Sequence, residues 1–278
     1  MRPFELLEPR SLDEAVRLLD RDDPAVRAIG GGTALMLLMK SGLYRPRRLV
    51  SLRGVEARYR TITADHDGTL HIGALVRLAE IEHSYEVARH APVLARAMRT
   101  LSSVRIRNVA TLGGHLAHAD PHLDLPPVLV ALDARLVIRG RDGERSLPVA
   151  ALLRGYFETT LGNDELITEV IVPSLGGRRA VYLKCTARAA DDWPALGVAV
   201  AVGPNDARIV VGAATERPTR LAAAEAALGT ARDDTALRRA GDAAAREAKL
   251  VSDQHGSAAY KRELLRVYLR RALAEALG

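Results

Sequence analysis

Apolar and polar positions along the chain follow two rhythms, one close to every second residue and one close to every third or fourth. The switches between them mark the elements. Ser11-Leu12-Asp13-Glu14 has the form of a capping box, and Ala15, Val16, Leu18 and Leu19 continue it as a short amphipathic helix. "AVRAI" (25–29) reads as a buried strand running into "GGG" (30–32), and "RLVSL" (48–52) as another strand. "RTITA" (60–64) and "TLHIGA" (69–74) flank Asp67-Gly68, a strong hairpin signal. Residues 85–100 have helical spacing. "LPPVLVAL" (125–132) opens with prolines that a first helical turn accepts. "ARLVIRG" and "GERSLPV" flank Asp142-Gly143 as a second hairpin, and "ELITEVIVP" (165–173) is a strand stopped by Pro173. "GGRRA" (176–180) marks a boundary. Beyond it, "AVYLKC", "ALGVAVAV" and "ARIVVGAA" predict three consecutive strands, followed by Ala-rich helices at 219–228, 233–248 and 257–276. Strands first and helices last predict an α+β C-terminal domain.

Composition narrows the possibilities. A chain of 278 residues forms one large domain or two medium ones. Hydrophobic residues make up 48% but aromatics only 4%, so the core is mostly Ala, Leu and Val. There is no apolar run of about 18 residues and no secretory leader, which predicts a soluble, cytoplasmic protein. The net charge is +6, yet arginines are interleaved with acids rather than clustered with aromatics, which argues against nucleic-acid binding. Cys185 is the single cysteine, so the chain can hold neither an internal disulfide nor a Cys-ligated iron–sulfur cluster.

Two glycine stretches carry candidate chemistry. In "AIGGGTALMLLMK" (28–40) a strand, three glycines and a helix-like segment follow one another. Such a turn cradles phosphate oxygens with backbone N–H groups, or is simply tight. It is not a P-loop, and Leu35 stands where the dinucleotide fingerprint needs its third glycine. "TLGGH" (111–115) is a second turn, and neither turn contains an acidic residue, which suits a shared diphosphate. His115, His118 and His122 follow at spacings of three and four. On a continuous helix they would share a side, but Gly113-Gly114 and Pro121 are expected to break it. Metal binding, acid/base work and a plain polar loop all stay open for them.

Taken together, these segments resemble the FAD-binding medium subunit of molybdenum hydroxylases, the carbon monoxide dehydrogenase and xanthine dehydrogenase type. The resemblance spans essentially the whole chain. The family's first flavin motif, A-G-G-[HQT]-[SD]-L-x-P-x-M-K, corresponds to Gly30-Gly31-Gly32-Thr33-Ala34-Leu35 closing with Met39-Lys40. The second, R-N-x-G-T-I-G-G-N followed by H-A-D-P-x-x-D-L-P, corresponds to Arg107–His115 and His118–Pro126. "ELITEVIVP", "YLKCTARAADDWPALGVAV" and "SDQHGSAAYKRELLRVYLRRAL" match further motifs in the family's order. Two positions depart from it: Ala34 replaces Ser or Asp, and His115 replaces Asn.

The resemblance implies an α+β, two-subdomain FAD-binding fold of the PCMH/VAO type over 1–175, with subdomains of about 1–53 and 54–175. A C-terminal domain with a three-stranded antiparallel sheet and helices would follow over 176–278. It implies that Gly30, Gly31, Gly32, Thr33 and Ala34, with Thr111, Gly113, Gly114 and His115, wrap the FAD diphosphate. Asp124 would hydrogen-bond the cofactor, Ile167 would offer main-chain contacts beside the ring system, and Lys184 would approach its pyrimidine end. Trp193 is either a flavin neighbour or an ordinary core residue, and His118 and His122 line the pocket edge. No residue acts as catalytic nucleophile or base and none binds a metal. The implied partners are a large molybdopterin-cofactor subunit and a small [2Fe–2S] subunit, assembled as a dimer of heterotrimers. A stand-alone FAD oxidase tethered through His115 or His118, and a non-catalytic protein that has lost flavin, are the alternatives. Substrate and terminal acceptor stay open.

Overall fold

A computed structural model describes residues 3–278. The chain builds three main sheets, each with its own apolar core. The first is a small parallel sheet in which Arg48–Ser51 lies between Glu5–Leu7 and Val26–Ile29. The helix Leu12–Leu18 covers it with Leu12, Ala15 and Val16. Ser11 accepts from the Glu14 amide at 3.1 Å, as a capping box requires, but the Glu14 carboxylate returns to the Arg10 amide at 2.8 Å, one residue early.

The second sheet is antiparallel, in the order Ile62–Ala64, Leu70–Gly73, Leu166–Val172, Arg135–Gly140, Gly143–Pro148. Both predicted hairpins are present. The central strand slips register between Ile167 and Glu169. That bulge turns the Thr168 hydroxyl onto the Val137 carbonyl, while the Thr168 carbonyl accepts from the Ala74 amide. The helical spacing at 85–100 resolves into two helices, Tyr85–His90 and Pro92–Thr100. Proline disfavours helical geometry in the residue before it, and Ala91 accordingly sits outside the helical region at φ −144°.

The third sheet holds the three predicted C-terminal strands, Arg179–Thr186, Pro194–Val202 and Ala207–Gly212, all antiparallel. A fourth strand, Thr219–Arg220, corrects the three-stranded expectation and delays the next helix to Ala222–Leu228. Two residues are too few to show a period. Every residue of the central strand is buried, because the helix Ala258–Leu277, itself backed by Asp234–Glu247, covers one face and Leu125–Ala131 the other. Alanines at 236, 240, 244, 272 and 276 fill that core and keep the helices close to the sheet.

Candidate functional site

The first glycine turn lies where the parallel sheet stops. After Ile29 the chain passes Gly30 and Gly31, then Gly32 adopts the left-handed region at φ +74° and opens the helix Thr33–Lys40. Gly32 caps this helix without a side chain, and its carbonyl takes the Met36 amide. The amides of Thr33, Ala34 and Leu35 meet no acceptor among the described residues, and no acid stands in the first turn. A helix end in this condition attracts an anion.

The second turn is held differently. Thr111 caps the helix Leu112–His118 by accepting from the Gly114 amide at 3.3 Å. The Leu112 amide donates to the Val76 carbonyl at 2.9 Å, and the Gly113 amide to Ala74 at 2.8 Å. Gly113 and Gly114 were expected to break a helix. They stand inside its first turn, because those long-range bonds hold the backbone that glycine alone would leave loose. The helix ends at Ala119, with φ +52°, before Pro121 is reached. Arg107 fixes the approach by pairing with Glu82 at 2.8 Å and donating to the carbonyls of Leu101 and Ser102.

The two turns press backbone to backbone. A Cβ on Gly31 would stand 2.0 Å from the Val109 carbonyl oxygen, and one on Gly30 would stand 2.8 Å from the Thr111 hydroxyl. Only glycine permits this approach. Beside the contact opens a cleft walled by Gly30, Thr111, Gly113, Gly114, Ile167 and Arg27. These residues fit the diphosphate of FAD: the opposed glycine surfaces admit it closely, the amides after Gly32 are unpaired, and the wall carries a guanidinium. Arg27 went unremarked in the sequence because one exposed arginine among many bears no local signal. The cleft thus brings together Gly30, Thr111, Gly113, Gly114 and Ile167, with Gly31, Gly32, Thr33 and Ala34 on the adjoining turn.

Asp124 and Lys184 meet each other in a buried pair beside Tyr182. Asp124 Oδ1 accepts from the Tyr182 hydroxyl at 2.6 Å, and Oδ2 from Lys184 Nζ at 3.1 Å. Lys184 also donates to the carbonyls of Thr100 at 2.6 Å and Asp192 at 3.2 Å. Both side chains of the pair are buried, and neither lines the cleft. Burial pushes the Asp124 carboxyl above its ordinary range, against the opposing pull of the ammonium and the tyrosine hydroxyl. Burial likewise holds the Tyr182 hydroxyl protonated. Tyr182 was missed, although a signal existed: residues two apart on a strand share a face.

The histidines separate. His115 is enclosed, its Nε2 has no partner, and burial, helped by nearby His118, drives its pKa down to about 3. It is neutral at any physiological pH. His122 lies between Asp120 at 3.2 Å and Asp253 at 3.1 Å, and Asp253 also accepts from the buried Lys261 at 2.5 Å. Burial lowers the His122 pKa, but the two carboxylates outweigh it and the net shift is upward. Trp193 is exposed and meets the His122 ring edge-on at 5.9 Å, so it is not a core residue. Among the described residues no group of three or more His, Cys, Asp or Glu side chains converges as metal ligands would.

Residues 2–175 match the family model described as the FAD binding domain in molybdopterin dehydrogenase, and residues 181–276 match the CO dehydrogenase flavoprotein C-terminal domain. The chain belongs to the FAD-binding subunits of the molybdenum hydroxylase family, and is therefore a flavoprotein subunit of an oxidoreductase. Its relatives include the 6-hydroxypseudooxynicotine dehydrogenase complex subunit alpha of Paenarthrobacter nicotinovorans, 33% identical over 100% of this chain and 96% of that protein. The glyceraldehyde dehydrogenase medium chain of Sulfolobus acidocaldarius is 29% identical over 98% of both. Among solved structures, the carbon monoxide dehydrogenase of Hydrogenophaga pseudoflava lacking the Mo-pyranopterin moiety superposes with a TM-score of 0.93. It is 31% identical, over 100% of this chain and 99% of that one. No helix among the described residues is long and apolar enough to cross a membrane.

Proposed function

We infer that this chain is the electron-transfer subunit of a molybdenum-containing hydroxylase. It takes electrons from the [2Fe–2S] clusters of a small partner subunit and passes them to a terminal acceptor. A large molybdopterin-cofactor subunit oxidises the substrate, and the assembly is a dimer of heterotrimers in the cytoplasm. Residues 1–175 form the FAD-binding domain, in subdomains of about 1–53 and 54–175, and 176–278 the C-terminal domain. Bound FAD supplies a redox centre able to exchange electrons with both one- and two-electron partners.

The observation that carries this reading is the pressed pair of glycine turns opening on one cleft. In the proposed site, the amides of Thr33 and Ala34 hold diphosphate oxygens, Arg27 offsets their charge, and Gly30, Gly31 and Gly32 admit them at backbone distance. Thr111, Gly113 and Gly114 form the opposing wall. His115, kept neutral, offers its unpartnered Nε2 as a hydrogen-bond group, replacing the family's Asn. Ile167 contributes backbone beside the ring system. Asp124 and Lys184 serve as a buried pair fixing the 118–124 turn, and each Asp124 oxygen, holding one donor, has a lone pair left to accept a hydrogen bond from the cofactor.

The purified protein is expected to be yellow and to release its colour on acid precipitation, one flavin per chain. A colourless protein that takes up no added FAD overturns the reading. Colour retained in the precipitate replaces it with a covalently tethered oxidase.

A further inference from the structure

His122 meets a carboxylate at each ring nitrogen: Nδ1 lies 3.2 Å from Asp120 Oδ1 and Nε2 3.1 Å from Asp253 Oδ2. Position 122 is an open one in the family's second motif, so the motif does not supply this ring. A neutral imidazole has one N–H donor and one acceptor, whereas an ionised carboxylate only accepts. A neutral ring would therefore set a nitrogen lone pair against a carboxylate oxygen on one side. The imidazolium, with two donors, satisfies both. Neither carboxylate is free to turn away. Asp120 Oδ1 also takes the His122 amide at 2.9 Å. Asp253 Oδ2 takes Lys261 Nζ at 2.5 Å, and its Oδ1 the His255 amide at 2.8 Å. Burial would raise both carboxyls, but His122 at Asp120 and Lys261 at Asp253 outweigh it and hold both below the ordinary range.

Charge balance asks for the same proton. Lys261 pairs with Asp253, and Asp120 meets no cation but His122 among the described residues. Three more titratable groups stand around the ring. His118, on the preceding helix, is kept below its ordinary pKa by burial. His255, on the C-terminal loop, lies 5.2 Å away ring to ring. Burial and nearby Asp253 hold the Tyr156 hydroxyl, on the turn before Glu158–Thr159, above its ordinary range. None of the three hydrogen-bonds to His122, whose side chain keeps 17% exposure and so exchanges protons with solvent. The contact also joins two parts of the chain. Asp120 and His122 follow the helix Leu112–His118, whose Gly113 and Gly114 wall the cleft. Asp253 lies 131 positions further on, and Lys261 stands on the C-terminal helix. Beside it the Pro121 carbonyl takes the Ala213 amide at 3.1 Å. One wall of the cleft is tied through this turn to the C-terminal sheet and helix.

We propose that His122 stands as an imidazolium clasping the 118–124 turn to the C-terminal loop at Asp253, and that loss of its proton loosens the cleft wall ahead of the turn. His122 is then a positioning residue for cofactor retention, not a cofactor ligand. The consequence for flavin rests on the reading of the cleft as the FAD site; the clasp does not. The sign follows from the two carboxylates. The folded chain holds this proton more tightly than the unfolded one, so the clasp is complete below pH 6.5 and is lost as pH rises through the higher folded midpoint. The coupling is reciprocal: an FAD affinity that falls about tenfold across the titration requires a midpoint about one pH unit higher with flavin bound than without.

The test follows the ring by NMR in the full chain, with isotope-labelled histidine, flavin-bound and flavin-free. The His122 signals, assigned by their absence in His122→Gln, should show two protonated nitrogens at about pH 6. Their midpoint should lie above 6.5 and fall in Asp253→Asn, which removes one of the two charges. That second variant assigns the ring by its moved signals if His122→Gln does not fold. The Kd for added FAD should rise about tenfold between about pH 6 and about pH 9 in the wild type. In His122→Gln it should be weak and flat with pH, and in His122→Arg, a fixed cation with donors for both carboxylates, tight throughout. A single protonated nitrogen at low pH, or a midpoint at or below 6.5, overturns the clasp. A raised midpoint that flavin does not move, with an FAD affinity flat in pH, overturns the positioning role. A wild-type chain that takes up no FAD at any pH overturns the FAD reading and with it the positioning role, while the ring signals still decide the clasp.

Discussion

Both glycine turns lead from an extended segment into a helix, yet they use their backbone amides differently. At 30–34 the helix starts on a left-handed glycine, has no side-chain cap, and leaves three amides without acceptors. At 111–115 a threonine caps the helix, and the carbonyls of Val76 and Ala74 take the next amides. The first helix buries only Met39 and leaves most of its residues half-exposed, whereas the second buries Leu112, His115 and Leu116. One half of the cradle is therefore a set of free donors on a lightly packed element, and the other is a fixed wall. Matching motifs do not imply matching roles. A glycine pair followed by a helix becomes an anion site only where the fold leaves its amides unpaired.

The largest cost should come from breaking the buried pair that follows the second turn. Lys184→Met leaves the Asp124 carboxylate buried with only Tyr182, a loss on the order of 3 kcal/mol or more in urea unfolding. Adding Asp124→Leu should recover much of it. A negligible cost for the single change would show that this pair anchors nothing. Gly31→Ala attacks the seam itself: its Cβ would lie 2.0 Å from the Val109 oxygen. The turns must separate, at a cost of about 2–3 kcal/mol, and flavin should be lost on gel filtration. Retained flavin with wild-type stability would mean that the halves move independently.

A pH experiment probes the enclosed histidine. His115 titrates at about 3 when folded and near 6.5 when unfolded. Below 6.5 the unfolded chain binds a proton that the folded chain refuses, so stability falls as pH drops. The contribution at about pH 5 is a loss of about 2 kcal/mol relative to neutral pH. His115→Asn should flatten that part of the slope and keep flavin bound; an unchanged slope would place the ring in solvent. The smallest effect is expected from Thr111→Ala, about 1 kcal/mol for a lost cap, read as a small drop in Tm.

Much of the architecture was legible because its signals are local. Asp67-Gly68 and Asp142-Gly143 specify hairpins from within four residues, and Ser11 caps the first helix through the Glu14 amide. Tyr182 could have been found from its spacing to Lys184. The division of the 85–100 segment was written in Pro92. Other features left no local trace. The helix through Gly113 and Gly114 depends on Ala74 and Val76, nearly forty positions earlier. The neutral state of His115 depends on what surrounds it, and Asp124 meets Lys184 from sixty positions away.

By itself, then, the sequence determined the periods, turns and caps, and the ordered motifs that mark a flavoprotein subunit. Each of these acts over a few residues of backbone. The tertiary structure alone decided which glycine turn keeps free amides, which buried charges pair, and which apolar helix is left half-exposed. Those outcomes belong to contacts between distant segments, where one carbonyl or ammonium arriving from elsewhere satisfies or strands a group that the local chain leaves undetermined.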